Sequence, residues 1–345
     1  MRRLLLILFL AAVVAGAWWM HRQFQKVELP YKAFGEEQFV DIAPGLGTRA
    51  IGKLLVDAGV IQDPATWRLA VWRSGQATSL KAGEYRFTEA ATPMDVVARL
   101  ARGDVYLRSV TFPEGLTIRQ MAAIYEDAGL GAAKDFVAAA GDEGLVAGDD
   151  PAARNLEGYL FPDTYALPRR ASARDLVERM VRRFKAVMTD ELRALAGARG
   201  LDLRQAVTLA SLVEKETASP AERPVVAAVY LNRLRQGIGL QCDPTVIYAL
   251  ELRGRFNGNL TRADLSVDSP YNTYRYRGLP PGPIAAPGRS SLEAVAHPAD
   301  VDYLYFVSRN DGTHAFASTL AEHNRNVQKY QVQFFKKKQE VRSKK

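Results

Sequence analysis

One cysteine and four histidines are all the chain has of the side chains that most often cross-link folds or hold metals. With Cys242 alone, no disulfide can close within the chain. No histidines stand at a metal-ligand spacing, so zinc and iron–sulfur sites are excluded and no cofactor is expected. Charge of one sign is also scarce in the body. The formal net charge is +8, but residues 336–345 hold six basic residues and one acidic, and Arg2 and Arg3 add two more, leaving the rest near +1. So balanced a surface does not fit a nucleic-acid binder. Disorder is excluded as well. At 48% hydrophobic and 24% charged, the 345 residues have a globular composition and length enough for two or three domains.

Residues 4–20, LLLILFLAAVVAGAWWM, lack any charge. A run of this length lies at the short end of a membrane-spanning helix. Trp18 and Trp19 suit the interfacial belt, and Arg2 and Arg3 place the N-terminus in the cytoplasm. Ala15-Gly16-Ala17 also has the form of a signal-peptide cleavage site. Cleavage there would leave Trp18 at the new terminus inside an apolar run, so an uncleaved single-pass anchor over 1–20 is expected. A linker over 21–37 would follow, and 336–345 is expected to be a basic disordered tail. The body would then be extracytoplasmic.

The body opens with a repeat. Residues 39–61, FVDIAPGLGTRAIGKLLVDAGVI, share a plan with residues 109–130, SVTFPEGLTIRQMAAIYEDAGL. Gly45 matches Gly115, Arg49 matches Arg119, and Asp57-Ala58-Gly59 matches Asp127-Ala128-Gly129. Each copy predicts a short strand, a Pro/Gly turn, a helix-capping threonine and an amphipathic helix stopped by glycine. A strand over 81–87 and a helix over 92–100 lie between them. From about residue 131, helical patterns cover 136–140, 171–195, 203–218 and 221–236. Residues 155–165 read as a structured loop, 303–307 as a strand and 319–335 as a helix. The fold class is α+β.

One helix carries an anomaly. In LASLVEKETASPAER (209–223), Glu214 and Glu216 interrupt an otherwise apolar pattern, and a carboxylate against apolar surface is unfavourable unless paired or neutralised. Val207, Ala210, Ser211, Glu214, Thr217 and Ala218 form one stripe; Leu209, Leu212, Val213 and Glu216 form its neighbour. Periodicity does not say which glutamate faces inward. Small residues flank Glu214 and would leave room for a ligand, while Lys215 and Arg223 could solvate Glu216. Downstream, Asn232, then Gln241 and Asp243 flanking a turn at Pro244, then Tyr271, Asn272 and Tyr274 supply the hydrogen-bonding groups and flat faces that bind sugars. Residues 278–288, with four prolines, could wall a cleft.

The ordered series LEGYLFPDTY (156–165), ASLVEKET (210–217), NRL (232–234), LQCDPTVIY (240–248), YNTY (271–274) with GLPPGPI (278–284), and AVAHPA (294–299) resembles the endolytic murein transglycosylase family, also called YceG-like. The resemblance runs from about residue 40 to 330 and includes the N-terminal anchor. It implies a LysM-like α+β unit over 38–106 and a mixed α+β catalytic domain over 107–335, of which 107–150 is a second LysM-like repeat. It implies cleavage of the β-1,4 bond between N-acetylmuramic acid and N-acetylglucosamine at the outer face of the inner membrane, with synthases of the same strands as candidate partners. Carried over to this chain, the catalytic glutamate falls on Glu214, with Glu216 a supporting or surface charge. The expected substrate-binding residues are Glu157, Tyr159, Tyr165, Ser211, Asn232, Gln241, Asp243, Tyr271, Asn272 and Tyr274.

Such a reaction needs one carboxyl group. It protonates the leaving oxygen, then takes the proton of the muramic C6 hydroxyl as that oxygen closes on C1, leaving a 1,6-anhydro end. A hydrolase instead pairs two carboxylates, and Asp243 or Glu157 could supply the second. Other readings are a non-catalytic, membrane-anchored wall-binding scaffold and a peptidase using Cys242 with His297 or His314.

Overall fold

The computed structural model describes residues 2–334 and 336, so the expected basic tail lies, apart from Lys336, outside the described residues. The chain divides into two units, crossing between them at 108/109, 165/166 and 170/171.

The first unit opens with helix α1 (Arg2–Glu28), exposed on every side from Ile7 to Arg22. Its segment Ile7–Glu28, of mean hydropathy 1.2, is long and apolar enough to cross a membrane. The helix does not stop where a linker was expected. Its last turns are packed: Val27 is fully buried, Gln23 accepts from the Thr66 hydroxyl at 3.0 Å, and Lys26 pairs with Asp63 at 3.0 Å. Strand β1 (Gln38–Ile42), helices α2 (Thr48–Asp57) and α3 (Pro64–Ser74), and strand β2 (Gly83–Phe87) follow, then helix α4 (Pro93–Arg102). β1 and β2 pair antiparallel, Gln38 opposite Phe87 and Ile42 opposite Gly83. Alternation along these strands and 3.6-residue spacing along the helices send Val40, Ile42, Ile51, Leu55, Trp67, Tyr85, Val97 and Leu100 into one core. Asp63 caps α3 ahead of Pro64, and Thr92 and Asp95 form a capping box on α4.

The second unit takes in strand β3 (Arg108–Thr111) from Ser109 on and its pairing partner β4 (Thr164–Leu167) as far as Tyr165, with helices α5 (Ile118–Asp127), α6 (Ala133–Ala139), α7 (Ala173–Val187) and α8 (Asp190–Ala198). Helices α9 (Leu203–Glu216), α10 (Arg223–Arg235), α11 (Asp243–Leu252) and α12 (Arg289–Ala296) come next, then an antiparallel hairpin of β5 (Tyr305–Ser308) and β6 (His314–Ala317), and helix α13 (Leu320–Val327). The repeat is visible in the backbone. Gly45 and Gly115 take matching left-handed φ values of 82° and 77° in their turns.

Helix α9 is the centre of this unit. Asp202 and Gln205 box its N-terminus, every residue from Ala206 to Val213 is buried, and α8, α10, α11 and α12 pack on it. A helix apolar all round is a core helix.

Several sequence expectations are corrected here. The pattern over 171–195 is two helices, because Thr189 leaves the helical region and caps α8 through Leu192 N. Pro244 does not make a turn; it sits in the first turn of α11, where its missing N–H has no helical partner to lose. The 155–165 loop ends in β4, the strand expected at 303–307 begins at Tyr305, and β6 had no sequence signal. Beyond α13 the chain passes into a π-helical turn, Gln328–Val332.

Candidate active site

Glu214 and Glu216 lie two positions apart on the last turn of α9, and residues at that spacing do not share a helix face. Their environments differ accordingly. The Glu214 side chain is 5% exposed and both its oxygens are engaged: Oε1 accepts from Arg223 Nη2 at 2.7 Å, while Oε2 accepts from Gly288 N at 2.9 Å and Ser291 Oγ at 2.8 Å. Gly288 caps α12, so the carboxylate sits at a helix N-terminus, where N–H groups and the helix dipole favour negative charge. Arg223 also reaches Glu114 Oε2 at 3.4 Å and hydrogen-bonds Ser290 Oγ. A Cβ at Gly288 would lie 1.8 Å from Glu114 Oε1, so a larger residue there would displace the half-exposed Glu114 side chain. Glu214 thus clamps the end of α9 to the start of α12. The small residues on its stripe make room for the protein's own chain: Ser211 Oγ donates to Thr208 O at 2.7 Å and accepts from Ile284 N at 3.1 Å.

Glu216 points to a recess of about 260 Å³ lined by Arg233, Leu240, Gln241, Asp243, Tyr274, Phe306 and His323. Its Oε1 accepts from the Tyr230 hydroxyl at 2.7 Å, and the Cys242 thiol also hydrogen-bonds to it. Desolvation is the largest influence on this carboxyl and raises its pKa, aided by the nearby Asp243 charge and opposed by the Tyr230 and Cys242 hydrogen bonds and by His314. Across the recess, Tyr274 donates to Asp243 Oδ1 at 2.5 Å. Gln241 holds a left-handed φ of 50°, which is uncommon outside glycine and turns the chain into α11 at the pocket rim. The Arg233 guanidinium donates to Leu304 O at 2.6 Å and Leu240 O at 2.8 Å, fixing two walls. His323 stacks on Tyr305 with centroids 5.1 Å apart; burial and the Arg233 charge lower its pKa, favouring the neutral imidazole.

Three of the expected substrate-binding residues, Gln241, Asp243 and Tyr274, therefore share the recess with Glu216. The others do not reach it. Glu157 is buried at the start of α5, accepting from Ile118 N at 3.1 Å and Tyr248 Oη at 3.2 Å; burial pushes its pKa up to about 8. Tyr271 packs on Tyr248, centroids 4.9 Å apart. Tyr159 donates to Asp150 Oδ2 at 2.5 Å and Tyr165 to Phe161 O at 2.7 Å, both inside the core. Asn232 Nδ2 holds Val301 O and Tyr303 O at 2.8 and 3.0 Å, and Asn272 Nδ2 holds Leu265 O and Val267 O at 2.9 and 2.8 Å. Ser211, as described, ties two segments together. These polar residues are spent on the fold. Arg223, expected near Glu216, is the partner of Glu214 instead. Phe306 and His323 were not singled out by sequence, since nothing local marks them, and Arg233 entered only as the middle of the NRL motif, with no role given to it. A Cys242–His peptidase has no support: the thiol is fully buried, burial raises its pKa, and His314 Nδ1 is held by Glu222 at 2.7 Å.

Residues 40–329 match the YceG-like family. The chain is 33% identical over 307 residues to the endolytic murein transglycosylase of Bacillus subtilis, covering 84% of each protein. It is 28% identical to the protein of that name from Streptococcus pneumoniae strain D39, matching 93% of this chain and 63% of that longer one. A 2.6 Å crystal structure of a yceG-like protein from Listeria monocytogenes superposes with a TM-score of 0.57 at 32% identity, over 84% of this chain and 98% of the other. With the family match running through both units and the relatives agreeing with it in sequence and fold, the chain belongs to the YceG-like family.

Proposed function

We propose that this chain is an endolytic murein transglycosylase, held to the inner membrane by α1 with its body on the extracytoplasmic side, and that Glu216 rather than Glu214 carries the proton. The type of enzyme follows the names of its relatives. The observation that carries the residue assignment is the contrast on α9: Glu216 opens on the recess with its pKa raised, and Glu214 is held by Arg223 and the α12 N-terminus.

Protonated Glu216 delivers its proton to the glycosidic oxygen as the bond to C1 breaks, and Tyr230 steadies the carboxylate that results. Tyr230 is the chain's own donor to Glu216 Oε1, so it orients that oxygen. The carboxylate then accepts the C6 hydroxyl proton as O6 closes on C1. A pKa raised toward neutrality lets one group serve both steps. Gln241, Asp243 and Tyr274 are placed to hydrogen-bond sugar hydroxyls at the rim. The first unit, with its strand-helix-helix-strand order, is read as the LysM-like, glycan-holding module.

A hydrolase reading has one observation in its favour: Asp243 lines the same recess as Glu216. Product mass decides. The full chain in detergent, incubated with purified peptidoglycan, should yield muramic ends lighter by one water than hydrolysed ends and resistant to borohydride. Reducing ends alone would overturn the transglycosylase chemistry and make Asp243 the second catalytic group.

A further inference from the structure

The proline-rich segment expected to wall a cleft does not line the Glu216 recess. Gly278, Leu279 and Pro280 instead border a different groove of about 540 Å³, whose other wall is formed by α9 and α10 and by the Arg199–Asp202 turn. Arg204 holds the loop in place, donating to Pro281 O at 2.9 Å while pairing with buried Asp150 at 3.0 Å. The groove has an apolar floor, Leu231, Leu234 and Pro280, and a cationic rim, Arg199 and Arg235. Among the described residues neither rim guanidinium is in an ion pair; Arg235 donates only to Asn232 Oδ1. The acid on this groove, Asp202, is engaged in capping α9, its Oδ1 accepting from Gln205 N at 2.8 Å. A further recess shares Arg199, Leu231 and Arg235 and is lined by Asp300 and Asp302, two acids that do not line this groove.

A second, independent feature lies in the floor. Thr208 is 1% exposed, and its Oγ1 has no hydrogen-bond partner. Buried hydroxyls are nearly always paired, so an orphan on the lining of a groove calls for an acceptor. Ser211, one turn on along the same helix, is bonded through its hydroxyl, whereas Thr208 lines the groove without a partner.

We propose that this groove binds a short acidic peptide, the peptide stem that muramic acid bears on a glycan strand. The inference rests on the peptidoglycan reading of the Glu216 site. Stem carboxylates would pair with Arg199 and Arg235, the small apolar side chains of such peptides would cover Leu231, Leu234 and Pro280, and a peptide carbonyl would accept from Thr208 Oγ1. Because Tyr230 and Arg233 of α10 serve the Glu216 recess while Leu231 and Arg235 serve this groove, one helix separates the two. A strand seated at Glu216 would therefore be selected by whether its muramic units still carry peptide.

The test uses the full chain in detergent, with two readouts. In the first, a free acidic stem peptide is titrated by calorimetry in rising salt. Wild type should bind with an affinity that falls as salt rises, and Arg199→Ala/Arg235→Ala should lose about tenfold or more, the usual effect of removing charge-assisted hydrogen bonds. Arg199→Lys/Arg235→Lys should recover part of it. In the second, strands with intact peptides are compared with strands stripped by an amidase. The Ala variant should raise KM about tenfold on peptide-bearing strands and leave kcat and the stripped strands unchanged. Equal binding by wild type and variant, or an equal loss on both kinds of strand, would overturn the proposal. If wild type cuts neither kind of strand, the proposed function fails, while the peptide titration still judges the groove.

Discussion

The Tyr230 hydroxyl donates to Glu216 Oε1 at 2.7 Å, joining a fully enclosed tyrosine on α10 to the one α9 glutamate that reaches the recess. That bond favours the carboxylate over the acid, and desolvation, the largest influence, favours the acid over the carboxylate.

Tyr230→Phe should therefore shift the activity profile. Removing a donor that lowers the Glu216 pKa raises it further, so the alkaline limb, where the catalytic acid is lost, should move to higher pH. The pH dependence of kcat/KM measures this. An unchanged limb with only a lower plateau would mean that Tyr230 does not control the proton.

Glu216→Gln should cut strand cleavage by about 10²–10⁴-fold with the fold intact, because the amide keeps the shape but carries no exchangeable acid proton. Glu214→Gln should retain most activity. Reversed outcomes in a product assay would return the proton to Glu214.

Glu214→Ala should instead lower stability, by about 3 kcal/mol, as it leaves the enclosed Arg223 without its main partner and strips the α12 N-terminus of its carboxylate. Denaturant melts of the full chain would read this as a lower midpoint with unchanged slope.

Glu157 gives a pH-dependent stability. Its pKa is raised by burial from the unfolded 4.5 to about 8, so its favourable contribution is complete below about pH 4.5 and is lost as pH rises through 8. Glu157→Gln removes that loss, and the variant should hold its melting temperature better than wild type as pH rises from about 4.5 to about 8. Parallel declines in the two proteins would show that Glu157 stays charged in the fold.

With α1 intact, the protein should sediment with membranes and resist high salt, since its attachment is apolar. Release by salt, or a soluble form beginning at Trp18, would refute the anchor.

The class of fold and the repeat were legible because they rest on local patterns: alternation over 38–42, glycine stops at Gly59 and Gly129, capping threonines. The glutamate proposed here to carry the proton was not legible. Small side chains around Glu214 fit two causes, space for a ligand and close approach of the protein's own backbone, and only the positions of Ile284 and Gly288 separate them. Gln241, Asp243 and Tyr274, which line the recess, were singled out because they lie in segments dense with polar and aromatic residues. Arg233, Phe306 and His323 converge from α10, β5 and α13, and no spacing in the chain records that meeting. Asn232 and Asn272 misled for a different reason. An amide that organises a loop and one that grips a sugar look the same in a sequence.

The uninterrupted α1 has a mechanical meaning. Gln23 and Val27 are core residues of the first unit, so no swivel separates that unit from the apolar stretch before it. Seated in a bilayer, the helix would act as a keyed shaft. Each residue inserted near position 21 would lift the first unit by about 1.5 Å and turn it by about 100° around the shaft, so the direction its surfaces face would be written in the phase of one helix.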